Sequence, residues 1–226
     1  AFSHLGINAA YLAFPVEVGY LGIALEAMRA MGMRGANITI PYKEEALDFI
    51  DEIPEDVDRC IGAINTIHQE GGVLFGYNTD GPGFLMALHE ELSFNPEGKS
   101  ILVLGAGGAA RGVTFSLARA RADKVLILNR NVERAEGLAE HAAGFFSEIE
   151  FSAVKHLYEI QGEKIDLVVN ATRCGMNPAH SQDKHDLGMG GVKENQEIPL
   201  DLRLLERKAS VYDLVYTPGE TPFLKT

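Results

Sequence analysis

The chain has 226 residues, 46% of them apolar, which is enough for a sizeable core; at roughly 150 residues per domain it admits one or two domains. Its formal net charge is -12, with no cluster of lysines and arginines. A surface that tracks phosphates needs such clusters, so no nucleic-acid partner is expected. No apolar run is long enough to cross a membrane, and Cys60 and Cys174 stand too far apart for metal spacing and read as reduced thiols of a cytoplasmic protein.

Tyr11 to Val18 is apolar and extended in character, and a helical segment ends over Met28 to Met33. Ala36 to Pro41 alternates with period two, as a half-buried strand does, and Pro41 stops it. A short helix is expected from Lys43 to Ile50. Ile64 to His68 and Val73 to Tyr77, joined by Gly71-Gly72, predict a strand pair around a tight turn. A boundary follows at Asn78 to Gly83, where Asp80 is placed to cap a helix carrying Phe84, Leu85, Leu88 and Leu92 on one face.

After a polar link the pattern changes. Strands at Ile101 to Leu104, Lys124 to Leu128, Ile165 to Val169 and Ser210 to Val215 alternate with helices at Gly108 to Ala120 and Asn131 to Ala143. That alternation predicts a parallel, doubly wound sheet. The polar span from Asn177 to Pro199 reads as a long surface loop. Its His180 and His185, flanking Asp183, match no ligand pattern, so no metal is expected.

Gly105-Ala-Gly107-Gly-Ala-Ala110 follows the first of these strands directly and opens a helix. The first glycine permits a tight turn, the second admits a pyrophosphate to the backbone, and the third small residue lets helix and strand pack. The helix N-terminus offers unpaired N–H donors to the anion. In this strand–turn–helix setting the motif predicts dinucleotide binding by Gly105, Ala106, Gly107, Gly108 and Ala109. The next strand ends at Asn129-Arg130-Asn131, where an NAD site usually has an acid for the ribose hydroxyl. Arg130, with Arg134 one turn later, suits a 2′-phosphate instead, and NADP is the expected cofactor.

The sequences Asn37-Ile-Thr39-Ile-Pro41-Tyr-Lys43, Ile61-Gly-Ala-Ile-Asn65-Thr66 and Gly76-Tyr-Asn78-Thr79-Asp80 precede that motif; Asn170-Ala-Thr172 and Asp213-Leu-Val-Tyr216-Thr-Pro218 follow it. In this order the set resembles the shikimate dehydrogenases along nearly the whole chain. The resemblance implies an α/β protein in which an N-terminal substrate domain, residues 1–81 with 217–226 returning to it, precedes a Rossmann-type NADP-binding domain over 82–216. It implies NADP-dependent interconversion of shikimate and 3-dehydroshikimate by a cytoplasmic monomer or homodimer. Lys43 and Asp80 would form the catalytic pair, Asn65, Asp80 and Thr39 would hold ring hydroxyls, and Tyr216 would lie near substrate or nicotinamide. Asn129 and Thr172 join the cofactor set by the same resemblance. Hydride reduction of a ketone builds negative charge on oxygen, which a nearby ammonium stabilises or protonates.

The resemblance also implies an N-terminal strand with a serine-rich carboxylate-binding segment and a C-terminal helix, neither within residues 1–226. Plainer readings exist for single residues: Lys43 as an exposed member of a charged turn, Asp80 as a helix cap, Asn65 as a hairpin brace. Set among the ordered motifs, function is the preferred reading of each. The alternatives are a quinate-directed paralogue, which a substrate panel separates, and a non-catalytic NADP-binding regulator, which has no need of Lys43 and Asp80. Glutamyl-tRNA reductase shares the Asn-Arg signature, but tRNA fits poorly with a charge of -12.

Overall fold

The computed structural model describes residues 2–54, 56–176 and 209–225, and holds two sheets. The loop expected at 177–199, with His180, Asp183 and His185, lies outside the described residues.

The first sheet is small and antiparallel, in the order β1-β2-β3 with β1 at Gly35–Asn37, β2 at Thr66–Glu70 and β3 at Val73–Tyr77. Gly71 and Gly72 both take positive φ, the two-residue geometry that matches the twist of a hairpin. Helix α1, Leu21–Ala30, buries Leu21, Leu25 and Met28 at helical spacing against Ile64, Ile67 and Leu74. Arg29 at its end pairs with Asp51 at 2.6 Å. That guanidinium, with the Leu74 N–H, holds the Asp51 carboxyl below the usual range.

Several local expectations are corrected here. β1 ends at Asn37 rather than Pro41, because the Ile38 N–H turns to the Asn65 carbonyl and Thr39 enters a turn closed by Tyr42. The helix expected from Lys43 is a 3₁₀ turn, Glu45–Phe49, with Lys43 outside it. Tyr11 to Val18 forms no strand and is largely exposed. Helix α2, Asp56–Ile61, has no counterpart among the expected elements.

Helix α3, Asp80–Leu92, leads to the second sheet, which is parallel with the order β6-β5-β4-β7-β8. Its strands are β4 Ser100–Leu104, β5 Lys124–Leu128, β6 Glu150–Val154, β7 Leu167–Asn170 and β8 Ser210–Asp213. The order turns back at β4, so a topological switch point lies between β4 and β7, where ligands of such sheets bind. β6 escapes the sequence pattern because its five residues form an edge strand with weak alternation. Along β4 the side chains alternate: Ile101 and Val103 face helices α3, α4 (Gly108–Arg119) and α5 (Val132–Ala143), while Leu102 and Leu104 face Ile160, Ile165 and Phe223. Phe223 packs the described tail on this second face of the large sheet.

Candidate active site

The site is assembled from the end of β3, the start of α3 and the turn before the 3₁₀ segment. The Ile64 N–H donates to the Lys43 carbonyl at 2.7 Å, which pins the lysine beside the strand that follows. Lys43 Nζ reaches Asp80 Oδ2 at 2.6 Å, the side chains being 15% and 25% exposed. The other carboxylate oxygen, Oδ1, accepts from Asn65 Nδ2 at 2.6 Å. Asn65 is buried, and its Oδ1 accepts from the Thr79 N–H at 2.8 Å and the Thr66 hydroxyl at 3.1 Å. Both oxygens of Asp80 are therefore engaged, and its direction is set from two sides.

Asp80 is not the helix cap. The cap position is Thr79, without a side-chain capping bond, and Asp80 is the first helical residue. Lys43 is likewise no surface lysine. The plainer readings fail because each side chain is turned inward onto the other. Asn78, missed as a separate support, is buried and donates to the Ala63 carbonyl at 2.9 Å, which fixes the loop between β3 and α3.

The cofactor motif abuts this pair. A Cβ built on Gly108 would stand 2.7 Å from the Lys43 Cβ, so the start of α4 lies directly against the lysine. Gly105 takes φ +110, and a Cβ there would meet the Ala171 carbonyl at 3.1 Å and the Thr172 methyl at 3.2 Å. A Cβ on Gly107 would meet nothing within 4 Å. The turn is thus closed on its β7 side and open above, as a backbone cradle for a pyrophosphate requires. No acceptor among the described residues takes the N–H groups of Gly108, Ala109 or Ala110, the donors a helix start leaves free. Ala106 is buried beneath the turn. These residues fit a dinucleotide.

Thr172 is drawn to the glycine turn by Asn170, whose Oδ1 accepts from its N–H at 3.0 Å and its hydroxyl at 2.6 Å. Asp213, absent from the expected site, accepts from Asn170 Nδ2 at 2.8 Å and from the Thr221 hydroxyl, tying the ends of β7 and β8 together. At the end of β5, the Asn129 amide donates to the Asn131 carbonyl at 2.8 Å, and Asn131 caps α5 by accepting the Arg134 N–H. Arg130 is exposed and makes no ion pair among the described residues. Arg134 is paired: its Nη2 donates to Glu44 Oε1 at 2.7 Å, and Glu44 Oε2 lies 3.5 Å from Arg111 Nε. Sequence reasoning misses Glu44 and Arg111, since nothing local marks a pairing across 90 positions.

Two expected residues stand apart. Thr39 is exposed in the turn preceding Lys43, and Tyr216 is 87% exposed after β8. Neither makes a side-chain hydrogen bond to Lys43, Asn65 or Asp80. Among the described residues no group of three or more metal-binding side chains occurs, and no helix is long and apolar enough to cross a membrane.

Comparison with known proteins gives a consistent result. Residues 1–67 match the family profile described as shikimate dehydrogenase substrate binding domain, and residues 88–186 match shikimate / quinate 5-dehydrogenase. The chain is 40% identical to the shikimate dehydrogenase (NADP(+)) of Geobacillus kaustophilus, an alignment covering 100% of this chain and 75% of that protein. A crystal structure of a shikimate dehydrogenase in complex with NADP+ superposes with TM-score 0.81 at 38% identity, over 100% of this chain and 72% of that one. The Thermus thermophilus enzyme in complex with NADP(H) and shikimate gives TM-score 0.78 at 36% identity, over 100% and 74%.

Proposed function

This chain belongs to the shikimate dehydrogenase family, and on that premise we propose that it interconverts 3-dehydroshikimate and shikimate with NADP(H). The observation that carries the reading is the Lys43–Asp80 pair, inward-facing, braced by Asn65 and in contact with the start of the dinucleotide-binding helix. When bound, NADPH supplies the hydride for the carbonyl carbon.

The residues supply the rest. Lys43 donates a proton to the carbonyl oxygen as negative charge develops there, and takes it back in the oxidising direction. Asp80 orients the ammonium and accepts a hydrogen bond from a ring hydroxyl. Asn65 keeps the carboxylate aimed and adds an amide to that hydroxyl's surroundings. In this reading Thr39 and Tyr216 approach the substrate from two exposed segments, the turn before Lys43 and the stretch after β8. Gly105, Ala106, Gly107, Gly108 and Ala109 hold the pyrophosphate through backbone N–H groups, and Thr172 closes the turn from the β7 side. Asn129 shapes the ribose end, and Arg130 and Arg134 take the 2′-phosphate with charge-assisted bonds.

We assign residues 1–81 to a substrate lobe and 82–216 to a nucleotide lobe. The tail joins the latter, as the burial of Phe223 supports. The enzyme is taken to be a cytoplasmic monomer or homodimer. The test is absorbance of reduced nicotinamide with shikimate or quinate against NADP+ or NAD+. Reduction that requires shikimate and prefers NADP+ is expected. Turnover of quinate alone would reassign the substrate, and silence with all four pairs despite NADPH binding would make the chain a cofactor sensor.

A further inference from the structure

Glu44 immediately follows Lys43, yet the two side chains turn to different partners. Lys43 turns to Asp80, and Glu44 reaches the rim of the parallel sheet, where it bridges two arginines of the other half. Arg134 Nη2 donates to one of its oxygens at 2.7 Å, and Arg111 Nε lies 3.5 Å from the second. Arg111 sits one turn into α4, the helix that begins at the glycine motif, and Arg134 sits in the first turn of α5. The carboxylate therefore occupies one of the two guanidinium groups assigned above to the 2′-phosphate, while Arg130 stays without a partner among the described residues.

We propose that Glu44 is a specificity-setting residue that competes with the 2′-phosphate of NADP(H) for Arg134. The proposal rests on the assignment of Arg130 and Arg134 to that phosphate. A phosphate near its second ionisation carries more charge than one carboxylate and three acceptor oxygens, so it displaces Glu44 from Arg134. The displacement costs the cofactor part of its binding energy. NAD(H), which lacks the phosphate, leaves the Glu44–Arg134 pair intact and bears no such cost. Glu44 thus moderates the preference for NADP(H).

The experiment measures dissociation constants of NADP+ and NAD+ by titration calorimetry for the wild type, Glu44→Gln, Arg134→Gln, Arg130→Gln and the Glu44→Gln/Arg134→Gln double variant. The Glu44→Gln substitution keeps the length of the side chain but removes the charge, and circular dichroism verifies the fold. Exposed ion pairs are modest, so Glu44→Gln is expected to tighten NADP+ about threefold and leave NAD+ unchanged. In the Arg134→Gln background the same substitution is expected to have no effect on NADP+. Unchanged or weakened NADP+ binding in Glu44→Gln overturns the proposal, and so does an equal gain for both cofactors, which would mark a general field rather than competition at Arg134. A failure of the underlying assignment has its own signature: Arg134→Gln and Arg130→Gln would then both bind NADP+ as the wild type does.

Discussion

The two ends of the parallel sheet treat charge in opposite ways. At the N-terminal ends of the strands, Lys124 is held by Glu163 at 2.7 Å and Glu150 at 3.0 Å. Its hydrogen bond to Glu163 outweighs burial and raises its pKa above the ordinary lysine value. Asp166 accepts the Ser100 N–H at 3.1 Å and pairs with Lys164 at 3.0 Å. Burial pushes its carboxyl up, but those two donors outweigh it and hold it below the usual range. Every one of these groups is answered by a neighbour. At the C-terminal ends some pairs form, such as Arg134 with Glu44, but Gly108, Ala109 and Ala110 offer N–H groups with no acceptor among the described residues, and Arg130 has no ion pair there. The asymmetry follows from βα connectivity. Each helix begins where its strand ends, so the free donors of helix starts gather on one edge. A ligand is expected where polar groups are left unanswered, and stability where they are answered.

The largest test of that contrast is Lys43→Ala, which keeps the Cβ that touches Gly108 and removes the ammonium. Turnover should fall by about 10²- to 10⁴-fold, while calorimetry should find NADPH affinity within about twofold of wild type. Turnover near the wild-type level would remove the lysine from the chemistry.

Next come the two glycines of the turn, which should part ways. Gly105→Ala forces a side chain into φ +110 and against the Ala171 carbonyl, so the protein should lose about 1–3 kcal/mol and bind NADP+ poorly. Gly107 has an ordinary negative φ and open space above it. Gly107→Ala should therefore melt like the wild type yet weaken NADP+ about tenfold, by filling the cradle. If Gly107→Ala lost stability and kept its affinity, the open space would not be the cofactor's.

The smallest effect belongs to the other edge. Asp166→Asn should cost about 1 kcal/mol at neutral pH and leave kinetic constants unchanged. The sign follows from the depressed carboxyl. Its stabilisation is complete above the unfolded value near about 3.9 and is lost as pH falls through the lower folded value. The gap in melting temperature between wild type and Asp166→Asn should accordingly narrow below about pH 4. A gap that widens in acid would refute the depression.

Much of this is legible without coordinates. The compact apolar runs at Ile101–Leu104 and Lys124–Leu128, alternating with helices and with glycines between, specify parallel strands and their shared edge, because strands covered on both faces are apolar throughout and phosphate approach imposes small residues. Lys43, Asn65 and Asp80 are recognised from ordered motifs rather than from any local property. Judged locally, Asp80 looks like a cap and Lys43 like a solvated lysine. The short elements are the ones misjudged: the strand meant to run to Pro41 stops at Asn37, and the edge strand β6 is overlooked. In such segments a single long-range bond, such as the one from Ile38 to Asn65, outweighs a few residues of pattern.

By itself, the sequence determined the family's ordered motifs, the βα order that collects helix starts on one edge, and the absence of an acid in Asn129-Arg130-Asn131 at the end of β5. Those properties reside in residue type and short spacing, which periodicity and backbone sterics read directly. Tertiary structure alone decided that Asp80 faces Lys43 rather than capping its helix, that Glu44 takes Arg134, and that Phe223 keeps the tail on the large sheet. Each of these is a choice among several available partners. Charge–charge and packing energies depend on distance in space, and only the folded chain brings positions 44 and 134 to 2.7 Å.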